Sequence, residues 1–591
     1  MVVISLFAFQ LHLDNNTIMG NNRKVLGFIG FCCLISFVLG SLSEKIREWG
    51  LISFLNKINF NLTRFFRGLN QFPGIKELNG FVKLIRKSRL LIKAGQYSSV
   101  WTAVVSIFCL LIYSWYITSG KWVWFPYTHY FDLLADAFLK GSLSLLEKPS
   151  STLIALANPY GYLNREGISY LWDSSLYQGR YFLYWGPVPA LFAAFVKSIR
   201  AMVVEDQYLV LISMAGLAFV LAALLHWLRS VFYPKTPGWT VPFLILIGML
   251  SLPMLWIINR PSVYEVAISA GVFFLMLGIY TSLRGLAANR KNIWLVITGL
   301  AWGAALGCRV NQATVVIWLT SITVLYLIIR NRKGKAWILP VILLILPLLT
   351  WAGGLGWYNY ARFGNILETG HRFQLTGPAL PSDYKDIVSV YYVIPNLFNY
   401  LFRPLVYNWG NFPFVNAPYL SDKMWPWFIF RPPYFYSTEP VTGIFRAVPI
   451  FWLVLLLILK PLQNFWGWAN ELPAKKIRPA NSLYPWVWLM FSGAILISLG
   501  SLSIFLASNM RYLVDIIPLL TVLTGFCIWW GLDFLKPWPI LYNILIAIIV
   551  ILGVMGILIG LLASFNTGLD RFALNNPHLY RSLVLIFSSN R

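Results

Sequence analysis

The sequence predicts an all-α, polytopic membrane protein with about eleven transmembrane helices and two large extracytoplasmic loops that carry interfacial helices. Three observations lead there. The chain of 591 residues is 58% hydrophobic and 12% charged, with a mean hydropathy of +0.66, which exceeds the apolar share and halves the charge of a soluble globule. Its hydrophobic runs are long enough to cross about 30 Å of hydrocarbon as helices. None shows the alternation of a transmembrane barrel strand.

Windows of about twenty apolar residues place spans near 101–119, 207–228, 240–258, 264–283, 292–308, 311–329, 337–357, 445–460, 485–507, 512–535 and 539–563. The short connections bearing Arg229 and Lys235, then Arg284, Arg290 and Lys291, then Arg330, Arg332, Lys333 and Lys335, then Lys460, Lys475, Lys476 and Arg478, and finally Lys536, fall on one side. The positive-inside rule makes that side cytoplasmic. The other side receives a loop at 120–206, a second at 359–444 and a tail at 565–591. Residues 100–564 thus read as the transmembrane domain, and 1–99 as an N-terminal extension. Within the extension, the run at 25–42 reads as a signal anchor, an extra span or a processed leader. Residues 43–99 mix basic and aromatic side chains, a pattern suited to a cytoplasmic segment lying on anionic lipid.

The formal net charge of +26 invites a nucleic-acid reading, but the basic residues lie mostly between spans and build no soluble basic domain. Membrane lipids are the better partner, and no nucleic acid is expected. Cys32, Cys33, Cys109, Cys308 and Cys527 sit in apolar runs at spacings that suit neither disulfides nor zinc. They read as small core residues.

The chemistry points to the first loop. Asp132 and Asp136 are four apart in helix-compatible sequence and share one helical face, just outside the first span. A carboxylate at the membrane surface is costly unless it is paired or used. His129 stands three residues before Asp132, and His129, Asp132 and Asp136 are the set that a divalent ion would use; no other cofactor is called for. The bland alternative is that the pair caps an interfacial helix or binds Lys121 and Lys140. Asp173 is a third acid in the same loop, suited equally to an Asx-type turn and to substrate binding.

Arginines supply the other half. Arg260, Arg309 and Arg511 lie at outer span ends, against the usual charge bias, where a guanidinium near hydrocarbon needs a partner or water. Its planar fork matches paired phosphate oxygens. Arg362, Arg372, Arg403, Arg431 and Arg446 add positive charge around the second loop, and snorkelling to the headgroups is the competing account of such residues. Glu265 and Asp515, also at outer span ends, read as neutralisers of nearby arginines. Tyr181, Tyr184, Trp185, Tyr391, Tyr392, Trp409, Trp425 and Trp427 offer aromatic faces to a sugar or to the lipid interface. The second loop is too long for a simple connector, which suits an acceptor-binding or lid role.

Four segments carry a family resemblance: an Asp-bearing interfacial helix ending Phe138-Leu139-Lys140-Gly141; Tyr177-Gln178-Gly179-Arg180-Tyr181-Phe182 with Gly186-Pro187-Val188-Pro189; Trp357-Tyr358-Asn359-Tyr360-Ala361-Arg362-Phe363-Gly364; and Arg511-Tyr512-Leu513-Val514-Asp515. Together they resemble the GT-C superfamily of polyprenyl-phosphate-sugar glycosyltransferases, near the protein O-mannosyltransferases and lipid A aminoarabinose transferases. The chain departs from those groups in having no acid at 127–129 and Trp185-Gly186 where they have a lysine. The resemblance implies an enzyme, a hexosyl or pentosyl transferase, that moves a sugar from a polyprenyl-phosphate donor to a lipid, glycan or protein acceptor with inversion at the anomeric carbon. Asp132 and Asp136 take the catalytic position, while Asp173, Tyr181, Arg260, Arg309, Arg511 and Tyr512 bind substrate. The expected location is a prokaryotic plasma membrane, with the site facing outward. A transporter or polymerase of lipid-linked glycans is the alternative.

Overall fold

The structure is a computed structural model that describes residues 98–287, 292–330, 335–377, 387–419, 425–426, 429, 436–459 and 479–588. The run at 25–42 and the basic segment up to residue 97 lie outside these residues. So do Trp427, Arg431, Arg290, Lys291, Arg332, Lys333, Lys460, Lys475, Lys476 and Arg478.

Helical backbone fills part or all of each of the eleven apolar windows. In chain order the helices are α1 (Ser98–Ile117), α2 (Tyr130–Leu139), α3 (Val188–Ile199), α4 (Asp206–Phe232), α5 (Thr240–Met249), α6 (Leu252–Asn259), α7 (Val263–Ala287) and α8 (Ile293–Cys308). They continue with α9 (Ala313–Arg330), α10 (Ile338–Phe363), α11 (Val393–Leu401), α12 (Pro479–Ser503), α13 (Ile517–Phe534), α14 (Pro539–Ala563), α15 (Arg571–Asn575) and α16 (Pro577–Ser588). Among the described residues, α1, α4, α7, α9, α10, α12, α13 and α14 are the eight long and apolar enough to cross a membrane. The pair α5 and α6, bent by 48°, makes a ninth span if counted as one. Two windows hold shorter elements. The 16 residues of α8 rise only about 24 Å, less than the hydrocarbon thickness, and Pro449–Leu459 forms an 11-residue 3₁₀ helix.

Most residues of α7 and α13 are buried, so these two helices form the centre of the bundle. Close approach depends on small residues, as in other membrane helix pairs. A Cβ on Gly303 would stand 2.4 Å from the Trp351 ring, and one on Gly299 would stand 2.2 Å from the Leu344 carbonyl oxygen. Neither space exists, and α8 therefore lies tightly against α10.

The loops gather at one end of the bundle. In the first, strands β1 (Ser175–Tyr177) and β2 (Arg180–Phe182) form an antiparallel hairpin with Leu176 opposite Tyr181. Its turn has positive φ at Gln178 (47°) and Gly179 (69°), the signature of a tight two-residue hairpin. In the second, β3 (Val406–Tyr407) pairs antiparallel with β4 (Val415–Asn416), while β5 (Ser437–Thr438) runs parallel to β6 (Ala507–Ser508), just before α13. The tail packs back onto the bundle. Arg571 donates to the Ile117 carbonyl (2.8 Å) and to Gln207 (3.2 Å), and Asn576 donates to the Ser119 carbonyl (2.9 Å).

Candidate functional site

Helix α2 is the helix that the Asp132 and Asp136 spacing predicts. Its first free backbone N–H groups, at Tyr130 and Phe131, donate to the carboxylate of Asp206 at 3.2 and 3.4 Å. A residue at the start of α4 thus caps a helix 76 positions earlier in the chain, supplying the acceptor that a helix N-terminus lacks. Asp132 turns inward, 4% exposed. Its Oδ1 accepts from Lys197 Nζ (2.7 Å) and from the Val204 backbone N–H (2.8 Å). Lys197 Nζ also lies 2.7 Å from Asp136 Oδ1. Burial alone would lower the pKa of Lys197, but the two carboxylates outweigh it and raise the value. The cation held by the acidic face is therefore Lys197 on α3, rather than Lys121 or Lys140 as a local pairing would have it, because α3 packs directly across α2. His129 stands at the N-cap of α2 and makes no side-chain cap bond. Among the described residues, no group of three or more His, Cys, Asp or Glu side chains is placed to hold a metal ion.

The three span-end arginines converge elsewhere, over the start of α7. Arg511, 5% exposed, sits in a 3₁₀ helix (Met510–Asp515) that leads into α13. Its Nη1 lies 3.4 Å from Glu265 and its Nη2 2.9 Å from Glu439 Oε1. Arg260, at the end of α6, reaches Glu439 Oε2 at 2.8 Å. Arg309, just beyond α8, pairs with Asp515 at 2.5 Å, and Gln312 donates to the same carboxylate at 3.0 Å. The Tyr512 ring lies 5.0 Å from the Arg309 guanidinium carbon and 5.8 Å from that of Arg511. On its other side, Arg511 stacks over Tyr264 at 4.3 Å. Three guanidinium groups and three carboxylates thus meet at one level, a balance that makes their burial tolerable. Beside Asp515 opens a narrow crevice lined by Asn311, Gln312, Ser498 and Ser501.

An aromatic wall connects this cluster to Asp173. Tyr264 packs edge-on against Trp185 (5.3 Å between ring centroids), and Trp185 lies against Tyr184 (4.1 Å). Gln374 of the second loop donates to both the Tyr184 hydroxyl (3.2 Å) and Asp173 Oδ1 (2.8 Å). Asp173 is 2% exposed and has φ +57°, a left-handed conformation that aspartate tolerates better than most residues. Burial pushes its carboxyl pKa up, against the opposing effects of Thr376, Gln374 and the Arg511 charge. Nearby His371 has its pKa lowered to about 4 by burial, so the imidazole is neutral at physiological pH. Gly186 fits where nothing larger would, since a Cβ there would stand 2.0 Å from the Gly307 carbonyl oxygen.

The predicted residues thus divide into three groups. Arg260, Arg309, Arg511 and Tyr512 come together, with Asp173 at the far end of the aromatic wall. Asp132 and Asp136 belong to the α2–α3 clamp. Tyr181 is a hairpin residue, 3% exposed, whose hydroxyl accepts from the Leu171 backbone N–H at 3.4 Å. Sequence reasoning missed Glu439, Gln374, Lys197 and Asp206. Of these only Asp206, an acid at the first position of a span, carried a local signal, since it complements a helix N-terminus.

No protein-family model matches the chain, and no curated protein matches it. Among solved structures, the chain is similar to ArnT from Cupriavidus metallidurans bound to undecaprenyl phosphate. The two are 11% identical over 82% of this chain and 79% of that one, with a TM-score of 0.35. It is also similar to the apo oligosaccharyltransferase of Archaeoglobus fulgidus, at 12% identity over 78% of this chain and 56% of that one, with a TM-score of 0.37.

Proposed function

We propose that the chain is a membrane glycosyltransferase that moves a sugar from a polyprenyl-phosphate donor to an acceptor on the outer side of the membrane, with inversion at the anomeric carbon. The observation that carries this reading is the cluster of the buried Arg511 with the half-buried Arg260 and Arg309, joined to the carboxylate of Asp173 through Tyr264, Trp185, Tyr184 and Gln374. Guanidinium groups at the headgroup level suit a lipid-borne phosphate. Packed aromatic rings beside them suit a sugar, and a buried carboxylate of raised pKa suits a general base.

The reaction is one displacement. The acceptor hydroxyl or amine attacks the anomeric carbon while the carbon–oxygen bond to phosphate breaks, and the bonding electron pair leaves on the phosphate oxygen. The acceptor proton passes to Asp173 and then to water. Arg511 and Arg260 stabilise the charge that gathers on the leaving phosphate, the kind of preorganised stabilisation that contributes most to such steps. This assignment puts the base at Asp173. Asp132 and Asp136, which the family resemblance favoured, hold α2 against α3 through Lys197.

The test is release of polyprenyl phosphate from a panel of polyprenyl-phosphate sugars by protein in lipid nanodiscs supplied with membrane-extract acceptors. Asp173→Asn, Asp132→Asn, Asp136→Asn and Arg511→Gln are compared with wild type. Sugar-dependent release that is lost in Asp173→Asn and Arg511→Gln supports the reading. Folded protein that releases nothing, while donor changes leaflet in sealed vesicles, refutes it in favour of a transporter.

A further inference from the structure

Glu439 is positioned by elements that tie the second loop to the start of α13. The parallel pairing of β5 with β6 brings Ser437 opposite Ala507 and Thr438 opposite Ser508. Asn399 donates to Tyr436 (3.1 Å) and to Ser508 (2.9 Å), locking that pairing. The backbone N–H of Glu439 then donates to Asn509 at 3.3 Å, two residues before Arg511. The carboxylate that follows divides its oxygens between two guanidinium groups, Oε1 on Arg511 Nη2 at 2.9 Å and Oε2 on Arg260 Nη1 at 2.8 Å. Two oxygens of one phosphate would span the same two donors.

One donor is left over. Arg511 Nε is buried and has no hydrogen-bond partner among the described residues, an unusual state for a buried polar atom. Nε and Nη2 form one edge of the guanidinium, the edge that takes two oxygens of a phosphate side by side. Glu439 cannot fill both positions, because its second oxygen is committed to Arg260. A phosphate offers a third oxygen, the one released from the sugar as the glycosidic bond breaks. The Glu439 side chain, 29% exposed against 6% for Arg511, has solvent to move into when it is replaced.

We propose that Glu439 occupies the place of the donor phosphate in the unliganded protein and is displaced by it, so that this carboxylate sets the affinity for the lipid phosphate. The proposal rests on the glycosyltransferase reading of the arginine cluster. Glu439 balances the charge of the buried Arg511 and the half-buried Arg260 before the lipid phosphate arrives, alongside Glu265 on Arg511 Nη1. The incoming donor phosphate exchanges one anion for another, and the oxygen freed as the glycosidic bond breaks, present from the start in polyprenyl phosphate itself, takes the Nε contact. Glu439 is a specificity-determining residue and touches no reacting atom.

The test is titration of undecaprenyl phosphate into the full-length protein in phosphatidylcholine nanodiscs, read by native mass spectrometry, with undecaprenol as the uncharged control. Removing a competing charged hydrogen-bond acceptor should tighten binding of the phosphate by about tenfold to a hundredfold in Glu439→Gln and Glu439→Ala, with undecaprenol unaffected. Arg511→Gln should lose the preference for phosphate over alcohol. If folded Glu439→Gln and Glu439→Ala bind no tighter than wild type while Arg511→Gln still loses the preference, Glu439 is structural and the displacement idea fails, with the glycosyltransferase reading intact. If wild type itself shows no preference for phosphate over alcohol, both fail.

Discussion

Replacing Asp132 and Asp136 one at a time separates a structural clamp from a catalytic pair. Asp132 is almost wholly enclosed, with its side chain 5% exposed, and it holds Lys197, itself 11% exposed. The Asp136 side chain is 41% exposed. Asp132→Asn keeps an acceptor for the Val204 N–H but loses the more enclosed of the two carboxylates that hold Lys197. A hydrogen bond to a charged group is worth about 1.5–3 kcal/mol net, and that is the expected loss. Asp136→Asn gives up an ion pair largely open to solvent, worth about 0–1 kcal/mol, and its stability should stay close to wild type. Thermal unfolding in nanodiscs, followed by loss of the monodisperse peak, should rank Asp132→Asn well below both. Polyprenyl phosphate release by the surviving folded fraction should fall by less than tenfold in either variant. Asp132→Asn with unchanged thermal stability and a loss of about 10² or more in turnover, the range of a missing general base, would refute the clamp and restore Asp132 to the reaction.

Two more outcomes test the site. Because burial raises the folded-state pKa of Asp173, turnover that needs its carboxylate ionised should be lost as pH falls through a value above the ordinary aspartate range. Asp173→Asn should remove that acid limb from the pH–rate profile and cost about 10²–10⁴ in rate. Gly186→Ala should destabilise the protein by about 1–3 kcal/mol or more, because the added Cβ meets the Gly307 carbonyl oxygen, a backbone atom that cannot rotate aside; thermal unfolding of the purified variant measures it.

What the sequence made legible follows from the range of each force. Hydrophobic length is local, and the apolar windows located α1, α4, α7, α9, α10, α12, α13 and α14. Charge bias is also local, and it singled out Arg260, Arg309 and Arg511 as residues in need of partners. The partners themselves are tertiary. Glu439 lies 72 positions before Arg511 and Asp515 lies 206 positions after Arg309, and no periodicity connects such pairs. The i,i+4 spacing of Asp132 and Asp136 correctly implied a shared helix face, but it could not say what that face meets. Only the packing of α3 across α2 shows that it meets Lys197. Asp173 was legible as a loop acid, whereas its link to the arginines runs through Gln374, a residue with no distinguishing sequence context.

The same contacts explain how distant parts of the chain can govern one reaction. Asp173 is not held by its own loop alone. Its backbone N–H donates to the Leu375 carbonyl (3.0 Å), the Leu375 N–H donates back to the Ser174 carbonyl (2.8 Å), and Gln374 holds its carboxylate. The second loop therefore grips the proposed base with Gln374 and Leu375 and grips the proposed phosphate site with Glu439. The clamp reaches the same region from the other side, since Tyr130 at the start of α2 packs edge-on against Trp185 at 6.0 Å and donates its hydroxyl to the Trp172 carbonyl at 2.7 Å. Loosening α2 by breaking Asp132 from Lys197 should shift Trp185, and with it the spacing between base and phosphate. Small misplacements of that kind are costly to a displacement that needs aligned reacting atoms. The modest loss of turnover expected for Asp132→Asn has this origin, in position rather than proton transfer, so it should leave the acid limb set by Asp173 at the same pH.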